Sequence, residues 1–206
     1  MKTILIATHN KGKLKRYKEL FASLSNLKLI TLEELGINFK VDEPFNTPEE
    51  NSAHKAREYG KLSQLPTIAI DEAVLTNFLP AGEQPGVMVR RFRKGHDLSD
   101  LEILEVWQEI FSLEPNDNRQ FIWDFRLSYY NPESGDLKTV KAIQTDTVTE
   151  KFSKIIDPGY PMSSFLVPLG ATKTYSELSR EEYLAVDQIN LKTFLEFMKE
   201  IINENF

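Results

Sequence analysis

The first twenty or so residues constrain the fold most, because they read as a strand, a polar loop and a helix in direct succession. Residues 4–7 form a short apolar run typical of a buried strand, and residues 8–13 are polar. The next four apolar residues recur at helical spacing; they are Leu14, Tyr17, Leu20 and Phe21. A loop that enters a helix in this way presents backbone N–H groups to an anion, so it suits phosphate. Turn chemistry alone is the alternative explanation, since the loop lacks the pattern of a Walker A sequence.

Strand and helix signals continue to alternate through the next fifty residues. A second strand is predicted at 27–32. Thr47 then precedes a proline and two acids, which is the pattern of a helix N-terminus, and the helix is expected to cover 48–62. An apolar strand at 67–70 is predicted to end at Asp71. Because ligand sites in open α/β sheets lie where strands end, Asp71 becomes a candidate functional residue.

The second half of the chain predicts two helices and a long hairpin. A capping box at Ser99 opens a helix over 100–111. Residues 121–130 and 137–148 read as the two strands of a hairpin. A last capping box opens a helix over 179–202, either continuous or with a break. Helices alternating with strands, followed by a hairpin, predict an α/β protein with a mixed central β-sheet flanked by helices.

Composition excludes several classes of function. The chain has 206 residues, no cysteine and a net charge of −6. Thiolate catalysis, disulfides and cysteine-bound zinc are therefore excluded, and the acidic balance opposes nucleic acid as a partner. No apolar run is as long as a membrane span, and the start lacks the apolar core of a signal peptide. We expect a cytoplasmic protein that binds neither nucleic acid nor membrane.

Three groups of polar residues could carry chemistry. Thr8, Asn10 and Lys13 on the opening loop offer donors and a positive charge to phosphate oxygens. Carboxylates suited to magnesium form the second group, Asp42, Glu43, Glu49, Glu50, Asp71 and Glu72. The third group is the basic run Arg90, Arg91, Arg93 and Lys94. For Glu49 helix capping is the favoured explanation, and for the basic run a solvated face is the common one, although one guanidinium turned inward could bind a phosphate.

The order of these residues matches the signatures of a known family. Thr8, Asn10 and Lys13 give the pattern T-x-N-x-x-K, and residues 47–56 resemble T-F-x-E-N-A-x-x-K-A. Further along, the chain is similar to L-P-x-I-A-D-D-S-G-L at 65–74, P-G-x-x-S-A-R-Y at 85–92, G-Y-D-P-x-F…V-P at 159–168 and K-T-x-A-E-L-x-x-E-E at 173–182. In this order and spacing the chain resembles the inosine triphosphate pyrophosphatase family, which hydrolyses non-canonical purine nucleoside triphosphates.

The resemblance implies a fold and a reaction. The fold is an elongated, two-lobed single domain over residues 1–206, and family members are commonly homodimers. In the reaction, water attacks the α-phosphate of a nucleoside triphosphate and gives a monophosphate and pyrophosphate. Magnesium, or manganese in its place, neutralises charge on the phosphates.

The resemblance also implies roles for individual residues. Asp71 falls on the catalytic aspartate, and Glu43 or Asp42 falls near the metal-binding glutamate, with Asp71 as a further metal ligand. The residues matched to phosphate binding are Thr8, Asn10, Lys13, Lys55 and Arg91. The residues at or near the positions that read the base are Tyr160, Tyr183, Asp187 and Gln188.

The chain departs from the family pattern both among the phosphate- and metal-binding positions and among the base-reading positions. Arg16 replaces an acid, while Ile70 and Glu72 replace an aspartate and a serine. Asp187 and Gln188 replace two residues of the base-reading Ser-His-Arg. These changes suggest a pyrophosphatase with altered base specificity. The alternative is an inactive nucleotide-binding or interaction module on the same fold.

Overall fold

The computed structural model describes residues 1–113 and 118–203 and places the strands of this part of the chain in one mixed sheet. The six strands are β1 (Lys2–Ile6), β2 (Leu27–Thr31), β3 (Thr67–Thr76), β4 (Gln120–Tyr130), β5 (Leu137–Val148) and β6 (Leu166–Pro168). Their order across the sheet is β2-β1-β3-β4-β5-β6. β1 runs parallel to β2 and β3, whereas β5 and β6 are antiparallel. The predicted mixed sheet flanked by helices is confirmed.

The helices follow the capping signals in the sequence. They are α1 (Lys11–Leu20), α2 (Pro48–Ser63), α3 (Asp100–Leu113), α4 (Arg180–Asn190) and α5 (Lys192–Asn203). Short 3-10 helices lie at Phe21–Ser23, Ala81–Glu83, Val89–Arg91, Pro161–Ser164 and Tyr175–Glu177. At the start of α2 the Thr47 hydroxyl accepts a hydrogen bond from the N–H of Glu50 at 3.2 Å, so the predicted cap is present.

The described contacts divide the chain into two compact units. The first unit comprises 1–72, 125–142 and 187–206, and the second comprises 73–124 and 143–186. A buried cluster in the first unit contains Leu5, Ala7, Leu32, Val41, Ala56, Tyr59, Ala69 and Tyr130. In the second unit Trp107 is 1% exposed, and its ring centroid lies 4.7 Å from that of Phe121. The prediction of a single domain over the whole chain stays a prediction.

Gly60 allows close packing between α2 and β4. A Cβ atom at this position would lie 2.5 Å from Cδ1 of Tyr130 and 3.3 Å from the Thr67 hydroxyl. Any larger residue would therefore push the helix away from the strand. This contact fixes the height of α2 over the sheet, and with it the position of Lys55 one and a half turns earlier.

Two details differ from the sequence predictions: the end of β3 and the presence of β6. β3 does not end at Asp71 but continues to Thr76 beside β4 in the sheet, and Val74 also exchanges two backbone hydrogen bonds with Gly86, both 2.9 Å. The break allowed for in the helix over 179–202 is present, since α4 and α5 meet at the buried Leu191. The short strand β6 carried no recognisable signal, since three residues are too few to show a period of two.

Candidate functional site

The opening loop begins α1 with an asparagine cap. The Asn10 side-chain oxygen accepts hydrogen bonds from the N–H groups of Gly12 at 2.9 Å and Lys13 at 3.1 Å. The Thr8 hydroxyl accepts from the Asn10 N–H at 3.1 Å. These bonds hold the loop in one shape, and they leave the amide nitrogen of Asn10 as the side-chain group with which it can donate to a phosphate. The loop thus combines a turn with a helix N-terminus.

Lys13 points at Glu72 on β3. Its Nζ lies 3.0 Å from Glu72 Oε1, and each side chain is only 15% exposed. Burial lowers the pKa of Lys13, but the carboxylates of Glu72, Asp71 and Glu43 outweigh this effect, so the pKa of Lys13 is raised. Lys13 therefore keeps its positive charge at neutral pH.

Lys55 reaches three oxygens from the buried face of α2. Its Nζ donates to the Asp71 Oδ1 atom at 3.1 Å and to the Ile70 carbonyl at 3.2 Å, and it pairs with Glu43. Lys55 is 9% exposed. Two carboxylates beside a nearly buried ammonium offset the cost of its burial. Residues far apart in sequence thus meet at one place.

The two carboxylates beside Lys55 differ in proton affinity. Burial raises the pKa of Asp71, and Lys55 and Lys13 offset only part of that rise. Burial would also raise the pKa of Glu43, but Lys55 and then Lys13 outweigh it, so the pKa of Glu43 is lowered. Two neighbouring carboxylates whose pKa values move apart can take different roles, with Asp71 the better proton acceptor.

We call Lys13, Glu43, Lys55, Asp71 and Glu72 the acid–lysine cluster. The Oδ2 atom of Asp71 and the Oε2 atom of Glu72 are buried and have no hydrogen-bond partner among the described residues. Buried oxygens of this kind are costly unless a ligand completes them. Carboxylate oxygens are what Mg²⁺ prefers, so these residues fit a divalent ion held by one or two carboxylates together with substrate phosphates.

An all-protein metal cage is not part of this arrangement. Within residues 1–113 and 118–203 no group of three or more His, Cys, Asp or Glu side chains could hold a metal ion. Asp42, the alternative metal ligand predicted from the sequence, is exposed, as is Glu43. Of the two neighbours, Glu43 is the one that contacts Lys55.

Arg16 and Asp187 form a buried ion pair that sequence reasoning missed. Arg16 Nε donates to Asp187 Oδ2 at 2.9 Å and a terminal nitrogen donates to Oδ1 at 2.7 Å, with side-chain exposures of 8% and 2%. The guanidinium also lies 5.0 Å from the ring centre of Phe125. Both residues stood out separately as departures from the family pattern. Their opposite charges were the signal that could have joined them.

The predicted base-pocket residues have different surroundings. The carboxylate of Asp187 is bound to Arg16, and Gln188 is exposed. In the second unit the Tyr183 ring packs edge-on against Tyr175 with centroids 5.5 Å apart, and Tyr160 is partly buried. The roles of these four residues in base recognition stay predictions.

Arg91 lies at the surface of the second unit. Its Nε donates to Asp97 Oδ1 at 2.7 Å, and both side chains are more than half exposed. The neighbouring Arg90 turns the other way and donates to the Gly159 carbonyl at 2.9 Å and to Asp100 at 3.1 Å. Arg91 as a phosphate-binding residue stays a prediction.

Known proteins resemble this chain along most of its length. Residues 4–189 match the family model described as the Ham1 family. A dITP/XTP pyrophosphatase of Wigglesworthia glossinidia brevipalpis is 27% identical over 97% of this chain and 98% of its own length. One from Escherichia coli O157:H7 is 29% identical over 90% and 91%. The structure of a HAM1 protein from Coxiella burnetii, 22% identical, superposes with a TM-score of 0.77 over 97% of this chain and all of that one.

No helix within residues 1–113 and 118–203 is long and apolar enough to cross a bilayer.

Proposed function

The chain belongs to the Ham1 family, and from this premise we propose that it hydrolyses a nucleoside triphosphate to the monophosphate and pyrophosphate. The observation that carries the proposal is the acid–lysine cluster. It places a buried carboxylate with a raised pKa, Asp71, beside two lysines and next to a loop that begins a helix. Phosphoryl chemistry needs a base for water together with positive charge for the phosphates.

Each residue of the site has a definite task in the proposed reaction. Asp71 accepts a proton from the attacking water through Oδ2, the oxygen that has no partner among the described residues. The water oxygen forms a bond to the α-phosphorus while the bond from that phosphorus to the bridging oxygen breaks. Pyrophosphate leaves with the electron pair of that bond. Lys13, Lys55 and the side-chain amide of Asn10 bind the phosphate oxygens.

A divalent ion belongs to the proposal, with Mg²⁺ as the first choice and Mn²⁺ as the second. The residues that would hold it are Asp71 and Glu43, with substrate phosphates completing its coordination. When bound, such an ion neutralises the negative charge of the triphosphate. Removal of the metal with a chelator is expected to abolish hydrolysis.

The base preference is proposed to differ from that of the relatives named dITP/XTP pyrophosphatase. Support comes from the 187–188 segment, where the Asp187 carboxylate is already bound to Arg16 in a bidentate pair. A carboxylate committed in this way is not available to read a base edge. Sites that read bases by hydrogen bonds discriminate strongly, so a change in these groups alters specificity.

The experiment is a screen of nucleoside triphosphates with pyrophosphate release as the readout. The panel contains dITP, XTP, ITP and the canonical nucleotides, each with Mg²⁺, with Mn²⁺ and with a chelator. Asp71→Asn serves as the control that removes the proposed base but keeps the shape of the side chain. Pyrophosphate release by the wild type that Asp71→Asn loses supports the proposal. Nucleotide binding without turnover of any member of the panel would contradict it and support the binding module instead.

A homodimer in the cytoplasm completes the proposal. Support for the dimer comes only from the family resemblance, and light scattering on the purified protein tests it. A monomer at micromolar concentration would contradict the dimer.

A further inference from the structure

The pairing of Lys13 with Glu72 has a consequence for how a phosphate enters the site. Lys13 is the cation on the phosphate loop, yet its Nζ is already 3.0 Å from a carboxylate. The second oxygen of Glu72 is buried without a partner among the described residues. A pair made only for stability would have both oxygens satisfied, because a buried unmade hydrogen bond is costly.

The charges of the acid–lysine cluster do not balance. Three carboxylates face two lysines, which leaves one negative charge in excess. Lys55 is held by Asp71 and Glu43 in the same way as Lys13 is held by Glu72. An incoming polyphosphate therefore meets two cations that are already neutralised and a net negative field, and the attraction expected of a lysine-lined loop is cancelled.

We propose that Glu72 is an internal counterion that keeps polyphosphate off Lys13 until a divalent cation enters with it. This proposal rests on the proposed function and extends it to the order of events at the site. Glu72, whose Oε2 atom has no partner among the described residues, would then join Asp71 in holding that cation and release Lys13. Lys13 then turns to the phosphate. The ligand recognised is a polyphosphate accompanied by a divalent cation, and the free polyphosphate is rejected.

The geometry supports an exchange rather than a fixed role for this pair. Both side chains are 15% exposed, so part of each is in contact with solvent. Asp71, next to Glu72 on β3, also has a buried oxygen without a partner among the described residues and is 6% exposed. Both carboxylates lie close enough to Lys13 to raise its pKa.

The test measures binding of inorganic tripolyphosphate to the full chain by calorimetry, once in a chelator and once with Mg²⁺. The wild type is expected to bind tripolyphosphate weakly without metal and far more tightly with it. Glu72→Gln removes the competing charge and keeps the size of the side chain. It is expected to raise the metal-free affinity about tenfold and to reduce the gain from Mg²⁺ by a similar factor.

Two further variants trace the gain to Lys13. In the double variant Lys13→Met/Glu72→Gln the metal-free gain should disappear, because the lysine that Glu72 releases is absent. Glu72→Ser, which removes the same charge with a smaller side chain, should reproduce the gain and covers the case in which Glu72→Gln folds poorly. Thermal melting of each variant checks the fold.

Glu49→Gln is the matched control. Glu49 lies at the start of α2, is paired with Arg126 at 2.6 Å, and has a side chain that is 56% exposed. The same loss of charge there should change tripolyphosphate affinity less than about twofold, because an exposed charge is screened. An equal gain in Glu49→Gln and Glu72→Gln would show a general charge effect and overturn the proposal.

Different results would contradict the counterion role of Glu72 and the proposed hydrolysis of nucleotides. A wild type that binds tripolyphosphate equally well with and without Mg²⁺ overturns the role of Glu72, whatever the hydrolysis assay shows. Unchanged metal-free affinity in both Glu72 variants does the same. Failure to hydrolyse any nucleotide, with the Glu72 effect intact, contradicts the hydrolase and leaves the counterion in place.

Discussion

Helix α1 contributes one residue to each of two groups of charges in the first unit, and the two groups differ in their charge balance. Lys13, in the first turn of α1, faces the acid–lysine cluster, where three carboxylates meet two lysines. Arg16, one turn later, closes a bidentate pair with Asp187. In the first group negative charge is in excess and carboxylate oxygens are buried without partners among the described residues. In the second, the Arg16 guanidinium donates two hydrogen bonds to the Asp187 carboxylate.

The difference separates a site from a structural contact. Burying a charge is costly, and the cost is recovered only if partners and geometry are complete. The Arg16–Asp187 pair meets that condition and therefore joins α1 to α4 within the folded chain. The acid–lysine cluster does not meet it, because two of its carboxylate oxygens have no partner among the described residues. These oxygens are available to a ligand. Perturbed pKa values at Lys13, Glu43 and Asp71 mark the same place.

Asp71→Asn should have the largest effect on activity. Loss of a positioned base lowers kcat by about 10²–10⁴-fold. The free energy of unfolding should change little, since burial already disfavours the charge of Asp71. Steady-state pyrophosphate release and urea unfolding measure the two quantities. A variant with wild-type kcat would show that Asp71 is not the base, and the acid–lysine cluster would then no longer differ from a structural contact.

Asp187→Asn should have the largest effect on stability. It leaves the buried Arg16 guanidinium without the carboxylate that neutralises it, which costs about 3–5 kcal/mol of the free energy of unfolding. Urea denaturation measures the loss. The double variant Arg16→Met/Asp187→Leu, which replaces both charges with apolar side chains, should recover most of it. Wild-type stability in Asp187→Asn would show that the pair is not the structural contact inferred here.

Arg91→Ala extends the comparison to an exposed ion pair. Because the side chains of Arg91 and Asp97 are 51% and 63% exposed, the free energy of unfolding should change by less than about 0.5 kcal/mol. If Arg91 binds phosphate as predicted from the sequence, KM for the nucleotide should rise about tenfold, the effect of one lost charged hydrogen bond. Kinetics on the preferred nucleotide decide this, and an unchanged KM would make the sequence prediction wrong.

Glu72→Gln should have a much smaller effect on stability than Asp187→Asn. The cluster has negative charge in excess, and Asp71 and Glu43 still act on Lys13, so the free energy of unfolding should change by less than about 1 kcal/mol. Parallel urea titrations of Glu72→Gln and Asp187→Asn make the comparison direct. A loss as large as that of Asp187→Asn would place Glu72 among the structural pairs.

The helices and most strands were predictable because their signals are local. Thr47 caps α2 and Ser99 precedes α3, as the capping patterns indicate. The end of β3 was predicted wrongly at Asp71, because β3 continues to Thr76 beside β4, a strand distant in sequence that no local pattern reveals. The acid–lysine cluster was predicted in part. Glu72 was seen as a departure, but its partner Lys13 lies fifty-nine residues away in sequence.

The sequence by itself determined the elements, their order and the residue types of the phosphate loop. Capping, spacing and turn chemistry act over a few residues, and these residues can be read directly. Only the tertiary structure decided which charges are matched and which are left in excess. Helices from distant parts of the chain set that balance when they pack, and burial then fixes the cost of each charge. For this reason Arg16 and Asp187 form a structural ion pair, whereas Lys13 and Glu72 belong to a cluster with unpartnered carboxylate oxygens among the described residues.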